Sequence, residues 1–258
     1  MKIALAFFGI TRSLKYTIKS IKRNILQHLK ESGIDCDIFM HTYKINNYAN
    51  IRTKEKPTSY NNNEYKLLNP KYIQIDVQEE IKKKINMSRY RTHKDPWNTG
   101  YNSVDNFILA QYSKGQVVKM IDNTNINYDY IMYVRPDCLY THKLNVQYLR
   151  DVDDTTICIP NFHLFGPHKF NDRFCITNMK TYKFYGNTFD KLLNISKQKS
   201  LHSERVLGEL MNNYDLKIIR VPFIFLRVRC NGSCEDKDKE LLTKSQYSSL
   251  FAKNRAII

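Results

Sequence analysis

The sequence predicts an α/β fold in which a mostly parallel central sheet is flanked by helices. The first observation is an apolar run at Lys2–Phe8 (KIALAFF), which is typical of a strand buried on both faces. The second is a helical spacing of apolar residues directly after it, and the third is another apolar run at Asp37–Thr42 (DIFMHT). Two buried strands joined by a helix are expected to form a parallel pair with a right-handed crossover.

The helix between these strands has recognisable ends. Gly9 terminates the first strand, Ser13 is placed to cap the helix, and Gly33 stops it. The apolar positions of the helix step by three or four residues, at Leu14, Ile18, Ile21, Ile25 and Leu29. The start of the chain is therefore predicted to be strand, helix, strand.

The next region shows no sustained period. Lys44 to Pro70 is rich in Asn, Lys and Tyr, and we expect it to be a long, mobile loop. Lys71–Ile75 is predicted to be a short strand. The Asp76-x-x-Glu79 pattern is a capping box, which predicts that a basic helix begins there.

The most informative segment follows a helix predicted to open at Ser103. Tyr128–Tyr140 (YDYIMYVRPDCLY) is a strand of β-branched and aromatic residues that runs into Arg135, Pro136 and Asp137. Because Pro136 cannot donate to a ladder, we expect the strand to end or to lose its regular pairing there. Arg135 and Asp137 are therefore predicted to lie at a sheet terminus.

The second half repeats the alternation of strands and helices. Strands are predicted at Thr156–Pro160, Arg173–Asn178 and, interrupted by Pro222, Leu216–Val228, with helices near Tyr182–Ile195 and Glu204–Tyr214. No internal repeat or linker is evident, so residues 1–258 are predicted to form a single domain.

Charge and hydropathy limit the class of protein. Lys and Arg number 41 against 25 Asp and Glu, and the net charge of +16 attracts polyanions such as nucleic acid, anionic membrane surfaces or phosphorylated small molecules. The alternative is a compositional bias from an AT-rich genome. No stretch approaches the roughly 20 apolar residues of a membrane span, and no secretion signal is evident, so we expect an intracellular, cytoplasmic protein.

Three polar sets follow predicted strands and are expected to converge. They are the turn Gly9–Ser13, the triplet His41–Tyr43 and the triplet Arg135–Asp137. Ligands of open α/β sheets lie beyond the carboxyl ends of the strands. The helix start near Gly9 and Thr11 offers free N–H groups, and Arg12 adds a forked donor suited to phosphate. Alternatively, Arg12 is only a solvated surface residue.

Asp137 is a charged residue next to an otherwise apolar strand. A carboxylate beside a buried element needs a cation as partner, which is Arg135, a divalent metal ion, or both. The alternative is that Arg135 and Asp137 form a pair that only closes a turn. These alternatives stay open from the residues alone.

Several segments in this order resemble uncharacterised glycosyltransferases of the GT-A type, which occur in giant DNA viruses and bacterial surface-polysaccharide clusters. The segments are Phe7–Leu26 (FFGITRSLKYTIKSIKRNIL), Asp37–Tyr43 (DIFMHTY), Tyr128–Tyr140, Phe170–Asn178 (FNDRFCITN) and His202–Met211 (HSERVLGELM). The resemblance spans about residues 2–215 and depends on the order and spacing of the segments.

The resemblance implies a single GT-A-like, Rossmann-related domain that transfers a sugar from a UDP- or GDP-linked donor to a hydroxyl of a glycan or glycoprotein. Residues 1–140 are expected to form the nucleotide-binding half, 141–230 the acceptor half and 231–258 a C-terminal tail with a short helix. Gly9, Thr11, Arg12, Arg135 and Asp137 would bind the donor. Nucleic acid is not an expected partner, and a viral protein would act in the host cytoplasm.

The resemblance also bears on the metal ion. Arg135-Pro136-Asp137 stands where the GT-A fold places its Asp-x-Asp motif, but the first acid is missing. An arginine there could bind the diphosphate directly. Asp137 would then be either a ligand for Mn²⁺ or Mg²⁺ or a contact to the ribose. Histidine can complete a metal shell, and His202 is the candidate for that role.

By the same analogy, two acids in the second half could meet the acceptor. Asp172 precedes a predicted strand and Glu204 opens a predicted helix, and either could act as general base on the acceptor hydroxyl. Alternatively, Asp172 caps a local turn and Glu204 favours the helix dipole.

Two other functions compete with sugar transfer. One is a basic nucleic-acid-binding protein, suggested by the net charge and by lysines interleaved with tyrosines from Tyr60 to Arg91. The other is a catalytically silent nucleotide or sugar binder on the same fold, suggested by the missing acid.

Overall fold

The computed structural model describes residues 1–243 of the chain. Its strands are β1 (Lys2–Phe8), β2 (Asp35–Lys44), β3 (Asn47–Asn50), β4 (Glu55–Ser59), β5 (Tyr72–Val77), β6 (Tyr130–Val134), β7 (Cys138–Tyr140), β8 (Thr156–Pro160), β9 (Phe174–Asn178), β10 (Lys217–Val221) and β11 (Phe225–Arg227). Its α-helices are α1 (Leu14–Ile21), α2 (His28–Glu31), α3 (Gln78–Ile85), α4 (Asn102–Asp122), α5 (Gln147–Arg150), α6 (Tyr182–Gly186), α7 (Phe189–Ser196), α8 (Ser203–Asn213) and α9 (Asp236–Thr243).

Within residues 1–243, seven strands form a central sheet in the order β10-β8-β9-β6-β1-β2-β5. Neighbouring strands are parallel, except that β9 runs antiparallel to both β6 and β8. Helices pack on both faces of the sheet. The α/β fold with a mostly parallel central sheet is therefore confirmed.

The central strand β1 explains why the sheet is covered on both sides. Its alternate residues point to opposite faces, and all of them from Ile3 to Phe8 are buried. Ile3, Leu5 and Phe7 pack with the apolar face of α1. Ala4, Ala6 and Phe8 pack on the other face with residues of α4. The run at Lys2–Phe8 is thus apolar at successive positions because each face of β1 packs in a different hydrophobic core.

The helix after β1 ends where the sequence predicts. It runs through α1, a π-helical segment at Lys22–Gln27 and α2, and Gly33 follows it with a φ of 68°. Ser13 precedes it, but the Ser13 hydroxyl donates to the carbonyl oxygen of Val228 and makes no cap hydrogen bond. A hydrogen bond therefore joins the start of this helix to a residue 215 positions later in the chain.

The order of the strands creates a topological switch point beside β1. From β1 the chain moves outward to β2 and β5, and it then returns to the other side of β1 as β6. Because β1 and β6 are parallel, the loops that leave them diverge from the same edge of the sheet. A crevice at such a point is where ligands of open α/β sheets bind.

The strand expected at Tyr128–Tyr140 is broken at Pro136, as predicted. β6 ends at Val134, and the chain resumes as β7, which pairs with β11 in a separate small sheet. The expected interruption of the later strand at Pro222 is also confirmed, because it divides into β10 and β11. Arg135 and Asp137 therefore lie between two sheets.

The expectation of an irregular loop from Lys44 to Pro70 is wrong. β3 and β4 form an antiparallel hairpin there, and Glu64–Leu68 forms a 3-10 helix. The residues that hold this segment, including the buried side chains of Tyr48 and Leu68, do not recur with a regular period. Its order comes from contacts with distant parts of the chain, which a local pattern does not reveal.

The predicted capping box at Asp76 is also wrong. Asp76 lies inside β5, and the residue that precedes the first turn of α3 is Val77. The Asp76 carboxylate accepts hydrogen bonds from Tyr112 and Gln74 and faces His41, so it is not available to cap the helix. Glu79 pairs instead with Lys82 one turn later.

The C-terminal part contributes α9, which lies in the predicted tail. The remainder of that tail, residues 244–258, lies outside the described residues. Across residues 1–243, no helix combines the length and the apolar character needed to cross a bilayer.

Candidate functional site

Two arginines and one carboxylate meet at the switch point. Arg12, four residues beyond β1, places Nη2 at 2.9 Å from Asp137 Oδ2. Arg135, directly after β6, donates from Nε to Asp137 Oδ1 at 2.8 Å and from Nη2 to Oδ2. Two of the three polar sets expected to converge, Gly9–Ser13 and Arg135–Asp137, therefore meet at the carboxyl edge of the sheet. The third set, His41–Tyr43, is buried and makes none of these contacts.

The electrostatics of this group are set by two guanidinium groups around one carboxylate. Burial raises the pKa of the Asp137 carboxyl, but the charges of Arg135 and Arg12 outweigh it and hold that pKa well below its ordinary value. Asp137 is 4% exposed and ionised. Two further carboxylates act on the arginines, Glu55 on Arg12 and Asp172 on Arg135. The Arg135 side chain, 26% exposed, brings one guanidinium group to the surface.

The residues in this group do not fit a divalent metal ion. Both carboxylate oxygens of Asp137 already accept hydrogen bonds from guanidinium groups. Hard cations need several free oxygen ligands, and among residues 1–243 no three His, Cys, Asp or Glu side chains are placed to share an ion. His202, the other proposed ligand, contacts Glu204 and stacks on Trp97 instead.

Three backbone N–H groups of the predicted phosphate turn and helix start already have partners. The Gly9 N–H donates to the Ser113 hydroxyl at 2.8 Å, and the Thr11 N–H donates to the Tyr60 hydroxyl at 2.8 Å. Lys15 N, in the first turn of α1, donates to the carboxylate of Glu64. The expectation of free donors at these positions is wrong, because internal hydroxyl groups and a carboxylate take the place that an anion would occupy.

A cavity of about 270 Å³ opens beside Arg12. Its wall is formed by the start of α1, the β3–β4 hairpin, the segment that follows the hairpin, and the residue before the tail. The lining residues besides Arg12 are Lys15, Tyr48, Thr58, Ser59, Tyr60, Asn61, Glu64 and Cys230. A wider depression of about 530 Å³ lies along β10 and contains none of the predicted site residues. Of the three residues that meet at the switch point, Arg12 lines this cavity, and Arg135 and Asp137 do not.

Sequence reasoning missed the residues that enclose this cavity. The Arg12 guanidinium lies over the Tyr48 ring, 4.9 Å from its centroid, and donates to the Tyr48 hydroxyl. Glu55 on the same hairpin accepts a hydrogen bond from Cys230 N at 2.9 Å and lies 3.8 Å from Arg229. The hairpin thus meets the segment at Arg229 and Cys230 close to Arg12, and no spacing in the sequence indicates this.

A second charged group contains both acids proposed for the acceptor side. Arg173 Nη1 lies 2.9 Å from Asp172 Oδ1 and 3.6 Å from Glu204 Oε1. Glu204 also contacts Ser203 and, at 3.4 Å, His202 Nδ1. Asp172 and Glu204, which are 32 residues apart in the printed sequence, are therefore brought together by a cation that sequence reasoning did not single out.

The two groups are neighbours at the same edge of the sheet. β6 and β9 are antiparallel, so the end of one lies beside the start of the other, and Arg135 N donates to the carbonyl oxygen of Arg173 at 3.2 Å. Burial raises the pKa of Asp172, but Arg173 and then Arg135 lower it below its ordinary value. The charges of the two groups therefore act on one another.

Comparison with known proteins gives a likeness of fold. No protein-family model matches the chain, and no curated protein matches it. A solved structure to which it is similar is the galactosyltransferase LgtC in complex with donor and acceptor sugar analogs. The two share 13% identity over 86% of this chain and 73% of that one, with a TM-score of 0.45. At this level the likeness does not extend to the chemistry of the site.

Proposed function

We propose that this chain is a glycosyltransferase that moves a sugar from a nucleoside-diphosphate sugar to a hydroxyl acceptor. The observation that carries the proposal is the Arg12–Asp137–Arg135 group at the topological switch point. Strands β1 and β6 position these side chains where an α/β sheet binds its ligand. Residues 1–140 would hold the donor and 141–230 the acceptor, with Cys230 bordering the donor cavity.

The two arginines would act on the diphosphate of a UDP- or GDP-linked donor. A guanidinium presents planar, paired N–H donors that match phosphate oxygens, and it is always charged. When the bond between the anomeric carbon and the diphosphate oxygen breaks, negative charge develops on the departing diphosphate. Fixed positive groups stabilise that charge without reorganising. Asp137 would keep both arginines aimed at the same point.

Glu204 is the better candidate for the general base. The acceptor hydroxyl oxygen would attack the anomeric carbon while its proton passes to the Glu204 carboxylate. A base works best when its pKa is near the working pH, and the lowered pKa of Asp172 makes that residue a weak proton acceptor. Asp172 would instead help to hold Arg173.

A catalytically silent nucleotide or sugar binder is the second candidate. It is favoured by the burial of Glu204 and by its ion pair with Arg173, since an acceptor would have to reach a carboxylate that is already engaged. Such a protein would bind the same donors through Arg12 and Arg135. It would release no sugar to an acceptor or to water.

A thermal-shift screen tests the proposal. Wild-type protein is heated with UDP, GDP and their sugar conjugates, each with EDTA and with added Mn²⁺ or Mg²⁺. A ligand present at a hundred times its Kd stabilises the folded state by about 2.7 kcal/mol, so a binder should raise the Tm by several degrees. The shift should persist in EDTA and should be lost in Arg12→Gln. Arg150→Gln, at an exposed arginine of α5, is the control.

The screen separates the candidates. Turnover of a shifting nucleotide sugar supports the transferase, and binding without turnover or donor hydrolysis supports the silent binder. If no nucleotide shifts the Tm while oligonucleotides bind with a steep salt dependence, the proposal is wrong and the protein binds nucleic acid.

A further inference from the structure

Two buried residues and a partly exposed carboxylate form a row that ends at the turn after β1. His41 Nδ1 lies 2.7 Å from the Ser113 hydroxyl, and His41 Nε2 lies 3.1 Å from Asp76 Oδ2. Ser113 in turn accepts the hydrogen bond from Gly9 N. The row therefore connects β5, β2 and α4 to the turn that carries Arg12.

The row has the composition of a hydrolytic triad but not its geometry. Ser113 and His41 are both 0% exposed, so the hydroxyl cannot reach a substrate. The Ser113 oxygen also faces the Gly9 N–H, which withdraws electron density from it. In a catalytic triad the serine hydroxyl is accessible to the substrate. The N–H donors nearby bind the oxyanion that forms on the substrate, and not the serine oxygen. Another role has to explain why Ser113 and His41 are buried in a hydrogen-bonded row with Asp76.

The positions of the protons follow from the charges. The hydrogen bond from His41 outweighs burial and lowers the pKa of Asp76 to about 2, so Asp76 is ionised and only accepts. His41 Nε2 must therefore carry a proton. Burial lowers the pKa of His41, which keeps the ring neutral and leaves Nδ1 as an acceptor.

The Ser113 hydroxyl then has a defined direction. Its proton points to His41 Nδ1 at 2.7 Å, in preference to the His41 carbonyl oxygen at 3.2 Å. This leaves a lone pair of the Ser113 oxygen aimed at Gly9 N–H. Gly9 has a φ of 89°, in the left-handed region, so the turn depends on outside contacts to keep its direction.

We propose that Ser113, His41 and Asp76 are positioning residues that fix the Gly9 turn and thereby aim Arg12 at the diphosphate of the donor. The inference rests on the proposed function, because Arg12 has to be the group that binds. None of the three residues touches the ligand. Their effect reaches the ligand through one backbone hydrogen bond and the two residues that separate Gly9 from Arg12.

The test compares the affinities of matched variants for UDP and for GDP by calorimetry well below their Tm. Ser113→Ala removes the acceptor of Gly9 N–H and should weaken binding about tenfold. Ser196→Ala is the control, since it removes a buried hydroxyl that bonds to Leu193 O within α7. It should lower the Tm to a similar degree and leave the affinity unchanged.

Two substitutions at His41 separate positioning from packing. His41→Asn keeps an acceptor near Nδ1 and should retain affinity within about threefold, whereas His41→Leu should behave like Ser113→Ala. Unchanged affinity in both Ser113→Ala and His41→Leu would overturn the inference while the proposed function stands. Failure of the wild-type protein to bind either nucleotide would overturn both.

Discussion

Arg12 and Asp137 are 125 residues apart in the chain, yet their side chains form an ion pair of 2.9 Å. Each follows a strand of the central sheet, and those two strands are parallel neighbours. The contact therefore joins the two loops that diverge at the switch point. It fixes the position of Arg12 relative to Arg135, on which the proposed donor site depends.

Asp137→Asn should destabilise the protein. The substitution leaves two guanidinium groups without their carboxylate, and breaking a buried ion pair costs about 3 kcal/mol. Burial opposes ionisation of Asp137, but Arg135 and Arg12 keep its pKa below that of the unfolded chain, so this stability is present above about pH 4 and is lost on acidification. Urea unfolding at pH 7 and at pH 3 should show a difference between variant and wild type that shrinks at the lower pH. Equal free energies of unfolding for Asp137→Asn and the wild type at pH 7 would contradict this prediction.

Gly9→Ala should weaken both folding and donor binding. No atom lies within 4 Å of the added Cβ, so the cost of about 1–2 kcal/mol comes from the left-handed backbone. Gly115→Ala is the matched control, because that glycine lies inside α4 and its new Cβ would meet its nearest neighbour at 3.9 Å. There alanine should be neutral or stabilising. Thermal unfolding measures the difference, and equal Tm values for the two variants would argue against a constrained turn.

Burial of Lys114 should make the free energy of unfolding depend on pH between about 7 and 10.5. Its amine is fully buried and donates to Tyr185 O, and burial lowers its pKa to about 7 from 10.5. Between these values the unfolded chain binds a proton that the folded protein does not, so the stability of the wild type should rise with pH across that window. Relative to Lys114→Met, the wild type should gain up to about 1.4 kcal/mol per pH unit. A constant difference from pH 7 to pH 10 would contradict this.

Glu204→Gln should abolish transfer without loss of donor binding. Loss of a general base reduces kcat by about 10²–10⁴-fold, while the donor contacts at Arg12 and Arg135 remain. Glu209→Gln is the control on the same helix, because Glu209 pairs with Lys199 at the surface. Single-turnover transfer and calorimetry separate the two effects. Full activity in Glu204→Gln would remove this residue from the mechanism.

The sequence predicts those parts of the structure that depend on local patterns. β1 is recovered from Lys2 to Phe8 because both of its faces are buried, and the break at Pro136 follows from a missing N–H group. The placement of Arg12 near Asp137 follows from strand order and parallel direction. These features need no knowledge of which side chains meet in detail.

Other parts depend on contacts between distant residues. Glu64 occupies the start of α1, and Tyr48 lies against Arg12, but both come from a segment without periodicity. Asp76 has the spacing of a helix cap, yet it lies in β5, where its carboxylate contacts His41 and Tyr112. Arg173 joins Asp172 to Glu204 only after β9 and α8 are packed. Local patterns do not encode such partnerships.

The central claim is that the arginines of the switch point bind a diphosphate directly. Calorimetric titration of UDP and GDP into wild type, Arg135→Gln and Arg150→Gln, all in EDTA, tests it most directly. We predict that the wild type and Arg150→Gln bind one nucleotide with equal affinity, and that Arg135→Gln binds it at least about tenfold more weakly, since a charged hydrogen bond contributes about 1.5–3 kcal/mol. Binding that requires a divalent metal ion, or that is unchanged in Arg135→Gln, would contradict the account.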